Sequence, residues 1–408
     1  MQTNTVNLHI AKPRSSTTIN AHLMGQHHRS HIISLLRSTE PVSRAEIART
    51  LGLAPSVITQ QVKDLLTEGC IVEEGSGKAS VGRRPSLLRL NPDFRTAIGL
   101  YIRRQKLVGG LVNLAGKIIT RFKMSLDELP NAKTAVQQLA SMVSGLRQEN
   151  TLGICVTISG LIDVEAGKEV FSPVLDWHDI SLKDPLQQAV GLPVYVENNA
   201  NAFALAEYIY GAARPYRDSL CVIVGEGLGA GVIMNGRLHR GAFGSAGELG
   251  HARVDFDEDA PICRCGERGC LEEFCSKRAL DAGARRLGYA DIDALADAAR
   301  AGDDSAQAVF DHFGTVLGYG LKNAVNILGS EAVVLVDDLM KYGDLFFDTT
   351  ARIIREHSFG SSPVVLQGAL GEDGFLVGAA EVVLTDFLKS PIIGTSPITN
   401  SGFQTPCT

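Results

Sequence analysis

Residues 247–272 read Gly247-Glu-Leu-Gly-His251 at one end and Cys263-Arg-Cys265-Gly-Glu-Arg-Gly-Cys270-Leu-Glu272 at the other. Three of the chain's eight cysteines stand in this stretch, and Cys275 follows closely. Cys70, Cys155, Cys221 and Cys407 are scattered. A Cys-x-Cys-x4-Cys run supplies three soft thiolates on a tight, glycine-rich loop. That donor set suits tetrahedral zinc, with a fourth ligand drawn from elsewhere in the chain. Clustered cysteines in a cytosolic protein indicate a metal rather than disulfides. The compartment follows from the N-terminus. Met1 to Asn20 is polar, rich in Thr and Ser, and lacks the apolar segment of a secretory signal. No apolar run reaches the ~20 residues of a membrane helix. A cytoplasmic protein with no membrane partner is expected.

On both sides of the cysteine loop the texture is that of an α/β body. Ala97–Ile102, Leu107–Val112 and Lys117–Phe122 read as successive strands with Gly/Asn turns. A helix is expected near 133–147, and Leu152–Ile158 and Val194–Val196 read as buried strands. Cys221–Val224 and Ala230–Met234 form a further hairpin, and helices and strands then alternate to about residue 388. Elements of this length and order predict an α/β architecture with two lobes. A chain of 408 residues exceeds one ordinary core and suits two or three domains.

The first 95 residues differ. They carry 12 Lys/Arg against 7 Asp/Glu, a net of +5, whereas the whole chain is −6 and the remainder therefore −11. Only the N-terminal part is suited to a polyanion. Ile32, Ile33, Leu35 and Leu36 fall at helical spacing. Ser43 with Glu46 three residues later is a capping box for a second helix, which ends near Gly52. Pro55 suits the first position of a third helix. There Ile58, Val62, Leu65 and Leu66 form the buried stripe, and Gly69 stops it. Ser56, Thr59, Gln60 and Lys63 are left on the opposite face, which fits a helix lying in the major groove. Residues 71–90 read as a hairpin containing Gly82-Arg83-Arg84-Pro85. Arg83 and Arg84, held by Gly and Pro on an extended segment, suit a narrow minor groove. The whole reads as a winged helix-turn-helix.

Five motifs then carry a resemblance. They are Asn198-Asn199-Ala-Asn201, Gly225-x-Gly-x-Gly-x-Gly231, Asn235-Gly-x-Leu-x-Arg-Gly241, Gly247-Glu-Leu-Gly-His251 and Cys263-x-Cys-Gly-x-x-Gly-Cys270-Leu-Glu272. Together they resemble the ROK family of repressors, open reading frames and kinases, over residues 28 to 388. The resemblance implies a two-lobed, actin-like fold of the sugar kinase and ribonuclease H-like type. It also implies a repressor branch with a winged helix of this kind. It makes His251 the fourth ligand beside Cys263, Cys265 and Cys270, closing a structural zinc site. It makes Asn198, Asn199, Glu248, His251 and Glu272 the sugar-contacting positions, with His251 using one ring nitrogen for zinc and the other for a hydroxyl.

The chain departs from the kinase members at each phosphate-handling position. Their first phosphate loop resembles Asp-x-Gly-Gly-Thr; here it reads Tyr101-Ile-Arg103-Arg104-Gln105. Asn199 stands where the catalytic Asp should be, and an amide cannot accept a hydroxyl proton as a carboxylate can. Glu226 replaces Thr in the second loop, where it would repel phosphate. Asp337-Asp338 replaces a Gly-Gly pair. The expected protein is therefore a non-enzymatic transcriptional regulator, a repressor of carbohydrate-utilisation genes. Its partners would be an operator duplex, a sugar or sugar-phosphate effector, and further copies of itself in a homodimer or homotetramer. Two other readings stay open: a DNA-binding regulator with no small ligand, and a sugar kinase. The expected division is a tail (1–20), the winged helix (21–92), a first lobe (93–196, completed by helix 371–388), a second lobe with the zinc loop (197–370), and a disordered tail (389–408). The first tail is likewise expected to be disordered.

Overall fold

In the computed structural model, which describes residues 21–38, 41–76, 86–103, 106–125, 131–172, 175–360 and 362–388, the N-terminal unit grows from its caps. It comprises α1 (Ala21–Ser38), β1 (Val42–Ser43), α2 (Arg44–Leu51), α3 (Pro55–Thr67), β2 (Ile71–Ser76) and β3 (Ser86–Leu90). The Glu46 amide donates to Ser43 Oγ at 3.3 Å, and the Ser43 amide donates to the Glu46 carboxylate at 2.8 Å. This reciprocal pair satisfies donors that a helix start leaves open. Ile32, Ile33, Ile47, Ile58, Val62, Leu65 and Leu88 bury one another beneath the helices. The strands pair in the order β1-β3-β2. The segment joining β2 to β3, with Arg83 and Arg84, lies outside the described residues, as do both expected tails.

The first lobe is a mixed five-stranded sheet. β4 (Thr96–Arg103), β5 (Lys106–Asn113) and β6 (Ile118–Ser125) form an antiparallel meander. After α4 (Ala132–Leu146), β7 (Thr151–Ile158) pairs parallel to β4. A small separate sheet of β8 (Leu161–Asp163), β9 (Lys168–Ser172) and β10 (Trp177–Ser181) comes next, which the sequence pattern does not reveal. Then α5 (Lys183–Val190) leads to β11 (Val194–Asn198), giving the order β11-β7-β4-β5-β6.

The chain crosses to the second lobe through α6 (Asn199–Tyr210). That lobe contains β12 (Ser219–Val224), β13 (Leu228–Met234), β14 (Arg237–His239), α7 (Lys277–Leu287), α8 (Ile292–Arg300), α9 (Asp304–Leu328), β15 (Ala332–Val336), α10 (Gly343–His357) and β16 (Val364–Gln367). Its sheet runs β14-β13-β12-β15-β16. The last helix, α11 (Asp373–Phe387), returns to the first lobe and lies against β4. Helices α6 and α11 cross between the sheets at close range. Gly378 faces the Ala202 carbonyl so closely that any side chain there would collide with it. Phe203 and Phe375 meet edge to face at 4.7 Å, both fully buried. Truncating either is expected to cost about 3–5 kcal/mol.

The winged helix is seated on this pair of helices. Arg37, at the end of α1, donates from Nε to the Leu114 carbonyl at 3.1 Å and from its guanidinium to Glu381 on α11 at 2.9 Å. The Tyr210 hydroxyl, at the end of α6, closes the cluster. The side chains of Arg37 and Glu381 are only 5% and 0% exposed. Removing one partner from such a pair leaves a buried charge unanswered, typically ~3–5 kcal/mol. Among the described residues, no helix is long and apolar enough to cross a membrane.

Candidate functional site

Between the lobes lies a cleft of about 730 Å³. It is lined by Asn198, Asn199, Glu248, His251 and Glu272, and so brings together all five expected ligand-contacting residues. Each is placed by local backbone necessity. Asn198 caps α6: its side-chain oxygen accepts from the Ala200 and Asn201 amides at 2.7 and 3.3 Å, and its Nδ2 donates to the Gly160 carbonyl at 2.9 Å. Asn198 thus keeps one Nδ2 proton without a partner among the described residues, while Asn199 donates to Ser159 Oγ at 3.0 Å. Glu248 follows Gly247, whose φ of 91° brings it against the Ala230 carbonyl, a position no side chain could occupy. Glu272 is nearly buried and accepts the Leu228 amide at 2.9 Å. Although 36% of the Glu248 side chain faces the cleft, protein crowds its other sides and pushes the carboxyl above its ordinary range. His251 opposes that shift and Glu272 adds to it.

His251 faces two ways. Its Nδ1 lies 3.6 Å from Cys263 Sγ, and its Nε2 lies 3.8 Å from the Glu248 carboxylate. One ligand atom from each of His251, Cys263, Cys265 and Cys270 falls within 4.8 Å of the others. Burial pushes the Cys263 thiol up and the Cys270 thiol up to about 11, with neighbouring thiols adding to both shifts. Three sulfurs and one imidazole nitrogen at this spacing are able to hold a metal ion, which would replace the thiol protons.

The other end of the cleft is closed by ion pairs. Arg103, at the tip of β4, donates to Asp337 at 2.5 Å, to Asp338 at 2.6 Å and to the Tyr101 hydroxyl at 2.6 Å. The Tyr101 ring stacks on Phe375 with centroids 4.2 Å apart. Burial pushes the Asp337 carboxyl up to about 6, against the pull of the Arg103 charge. Lys277 donates to Glu226 at 3.0 Å. Arg104 and Gln105 lie outside the described residues.

On α3, Ser56, Thr59, Gln60 and Lys63 are all exposed on one face. Thr59 Oγ1 donates to the Pro55 carbonyl at 2.8 Å and Gln60 to Asp64 at 2.9 Å. Three contributors are not apparent from sequence. Ser159 and Lys277 line the cleft without belonging to a sequence motif. Buried Glu197 accepts from the Asn198 amide at 2.9 Å and from Arg240 Nε at 2.8 Å, steadying the start of α6. A carboxylate ending an apolar strand was the available signal for Glu197.

The profile described as the ROK family matches residues 97–386, and one described as winged helix-turn-helix DNA-binding matches residues 27–72. This chain belongs to the ROK family. It is 31% identical to the xylose repressor of Bacillus subtilis over 369 residues, covering 88% of this chain and 94% of that one. The glucokinase of Streptomyces coelicolor is 32% identical over 309 residues, covering 70% of this chain and 96% of that enzyme. A solved ROK family transcriptional regulator, a homologue of the E. coli Mlc protein, superposes with a TM-score of 0.76 at 25% identity. It covers 90% of this chain and 97% of its own. The ROK fold accounts for the two lobes with their actin-like, sugar-kinase architecture.

Proposed function

We propose that this chain is a DNA-binding repressor of carbohydrate-utilisation genes whose cleft takes a sugar or sugar derivative without phosphorylating it. One observation carries the reading. A winged helix is docked by the buried Arg37–Glu381 pair onto a sugar-kinase-like body whose phosphate end is filled by Arg103, Asp337 and Asp338. The repressor relative spans this chain nearly end to end, which supports the same reading. The winged helix (21–92) is the DNA reader. Ser56, Thr59, Gln60 and Lys63 enter the major groove, and Arg83 and Arg84 the minor groove. The lobes (93–196 with 371–388, and 197–370) form the sensor. A homodimer or homotetramer would set the spacing of the readers on a two-fold operator. Asn198, Asn199, Glu248, His251 and Glu272 meet the sugar's hydroxyls.

His251, Cys263, Cys265 and Cys270 would hold one zinc ion. Four protein ligands leave no open position, so zinc supplies no chemistry here beyond pinning the loop that carries Glu272 to the turn that carries Glu248. Asn199 offers an amide where the kinase members carry a carboxylate base, and an amide cannot accept a hydroxyl proton.

The glucokinase relative favours a second reading, that of a sugar kinase. Two assays separate the readings. A coupled assay with ATP and a sugar panel should stay at background. Fluorescence anisotropy on a duplex selected by this protein from a random pool should show steeply salt-dependent binding. Lys63→Ala should lower the salt slope by about one. Sugar-dependent ATP turnover, or no duplex selected at all, would contradict the proposal.

A further inference from the structure

The sugar reading leaves the class of sugar open, and the charge arrangement of the cleft narrows it. The cleft has two unlike ends, divided by the loop Gly225-Glu-Gly-Leu228. A side chain at Gly227 would sit 2.8 Å from the Glu272 carboxylate, and one at Gly225 would collide with Asp337. The loop therefore reaches from the hydroxyl-binding end to the end where Arg103 sits.

A loop that cradles phosphate offers free backbone amides and an unanswered cation. Here the two flanking amides are taken: Gly225 donates to the Gly227 carbonyl at 3.1 Å and Leu228 to Glu272 at 2.9 Å, and the Glu226 carboxylate stands at the loop's tip between them. Among the described residues, three basic side chains line the cleft: Arg103, Lys106 and Lys277. Arg103 is paired with Asp337 and Asp338 and Lys277 with Glu226 at 3.0 Å, while Lys106 shares Glu372 with Lys123, each at 3.9 Å. Four carboxylates, from Glu226, Glu248, Glu272 and Asp337, stand among the same lining residues.

A phosphomonoester brings nearly two negative charges at neutral pH. To reach Arg103 or Lys277, it must pull the first from two carboxylates or the second from one, and then face the carboxylate it has orphaned. Asp337 is only 4% exposed and has little water to turn to. A neutral polyol needs none of this rearrangement. Ser159, Asn199, Glu248 and His251 offer it donors and acceptors at the opposite end.

Resting on the sugar-binding role proposed for this cleft, we infer that it selects a neutral, unphosphorylated sugar and rejects the phosphate ester of the same sugar. Titration calorimetry on the full chain tests this with D-xylose, D-glucose and N-acetyl-D-glucosamine, each as the free sugar and as its terminal phosphomonoester. At least one free sugar should bind, with its ester at least about tenfold weaker, or ~1.4 kcal/mol. An ester that binds as tightly as its free sugar, or more tightly, overturns the inference and leaves the sensor reading standing. Binding by neither class overturns the sensor reading, and this inference with it. A variant tests the charge argument at a site where folding is not at stake. Glu226 is about half exposed (47%), so Glu226→Gln frees Lys277 with the fold intact. It should raise the ester's affinity by about threefold and leave the free sugar unchanged. An ester affinity that does not rise overturns the inference.

Discussion

The two ends of the cleft are built from the same fold and show opposite economies of charge. At the hydroxyl end, Glu248 and His251 Nε2 face open space with hydrogen-bonding capacity to spare. At the phosphate end, Arg103 is bound by two carboxylates and a phenol, and Lys277 by a third carboxylate. On the sensor reading proposed above, the contrast assigns a different task to each end. The end proposed to meet a sugar is left available, and the opposite end is held by a clasp of Arg103, Asp337 and Asp338 between the lobes. Arg103 belongs to the first lobe and Asp337 to the second, so the clasp also fixes how the lobes meet.

The largest effect that would break this comparison is at the hydroxyl end. Cys263→Ser, or chelation of the wild type, should remove one zinc per chain and lower the melting temperature. Sugar binding should go too, because Glu272 loses its anchor. Structural zinc can contribute on the order of 10 kcal/mol of binding free energy in small domains, and a larger body will lose a fraction of that. Metal analysis and calorimetry check it; a metal-free wild type that still binds sugar would contradict it. At the phosphate end, Arg103→Ala should destabilise the chain by about 3 kcal/mol in urea unfolding, because Asp337 is left buried without its counter-charge. Stability unchanged by that substitution would mean the clasp does not hold the lobes. A smaller, sharper effect separates the ends. Glu248→Ala should weaken sugar binding at least tenfold, the size of a hydrogen bond to a charged group at ~1.5–3 kcal/mol, and leave stability within about 0.5 kcal/mol. Equal heats in wild type and variant would remove Glu248 from the site.

Sequence separation decides which of these features were legible before the fold was known. The capping box at Ser43 and Glu46 was legible because its partners are three residues apart. The cysteine cluster was legible because its members share a short run, and His251 lies twelve residues from Cys263. The strands of the first sheet, and β12 and β13 of the second, were legible from their runs between Gly and Asn turns, whereas β14 and β16, three and four residues long, were not. Arg103 and Asp338 are 235 positions apart, and Arg37 and Glu381 are 344 apart. No periodicity links residues so distant, so both pairs read as isolated charges. The replacement of a glycine pair by Asp337 and Asp338 signalled lost nucleotide contacts; that Arg103 answers them required the fold. The β8–β10 sheet was hidden for another reason: its strands are three to five residues long, too short for alternation to show.

The joint at Arg37 makes the central claim measurable. It ties the reader to the far end of α6, whose near end carries Asn198 and Asn199. Sugar that favours one arrangement of the lobes must then favour one placement of the reader. Operator affinity should be measured by fluorescence anisotropy on the selected duplex, with and without saturating free sugar from the panel. The account predicts a change of about five- to 150-fold, a coupling of ~1–3 kcal/mol, and its loss in Glu248→Ala. A duplex affinity that does not move while calorimetry shows the cleft occupied would contradict it.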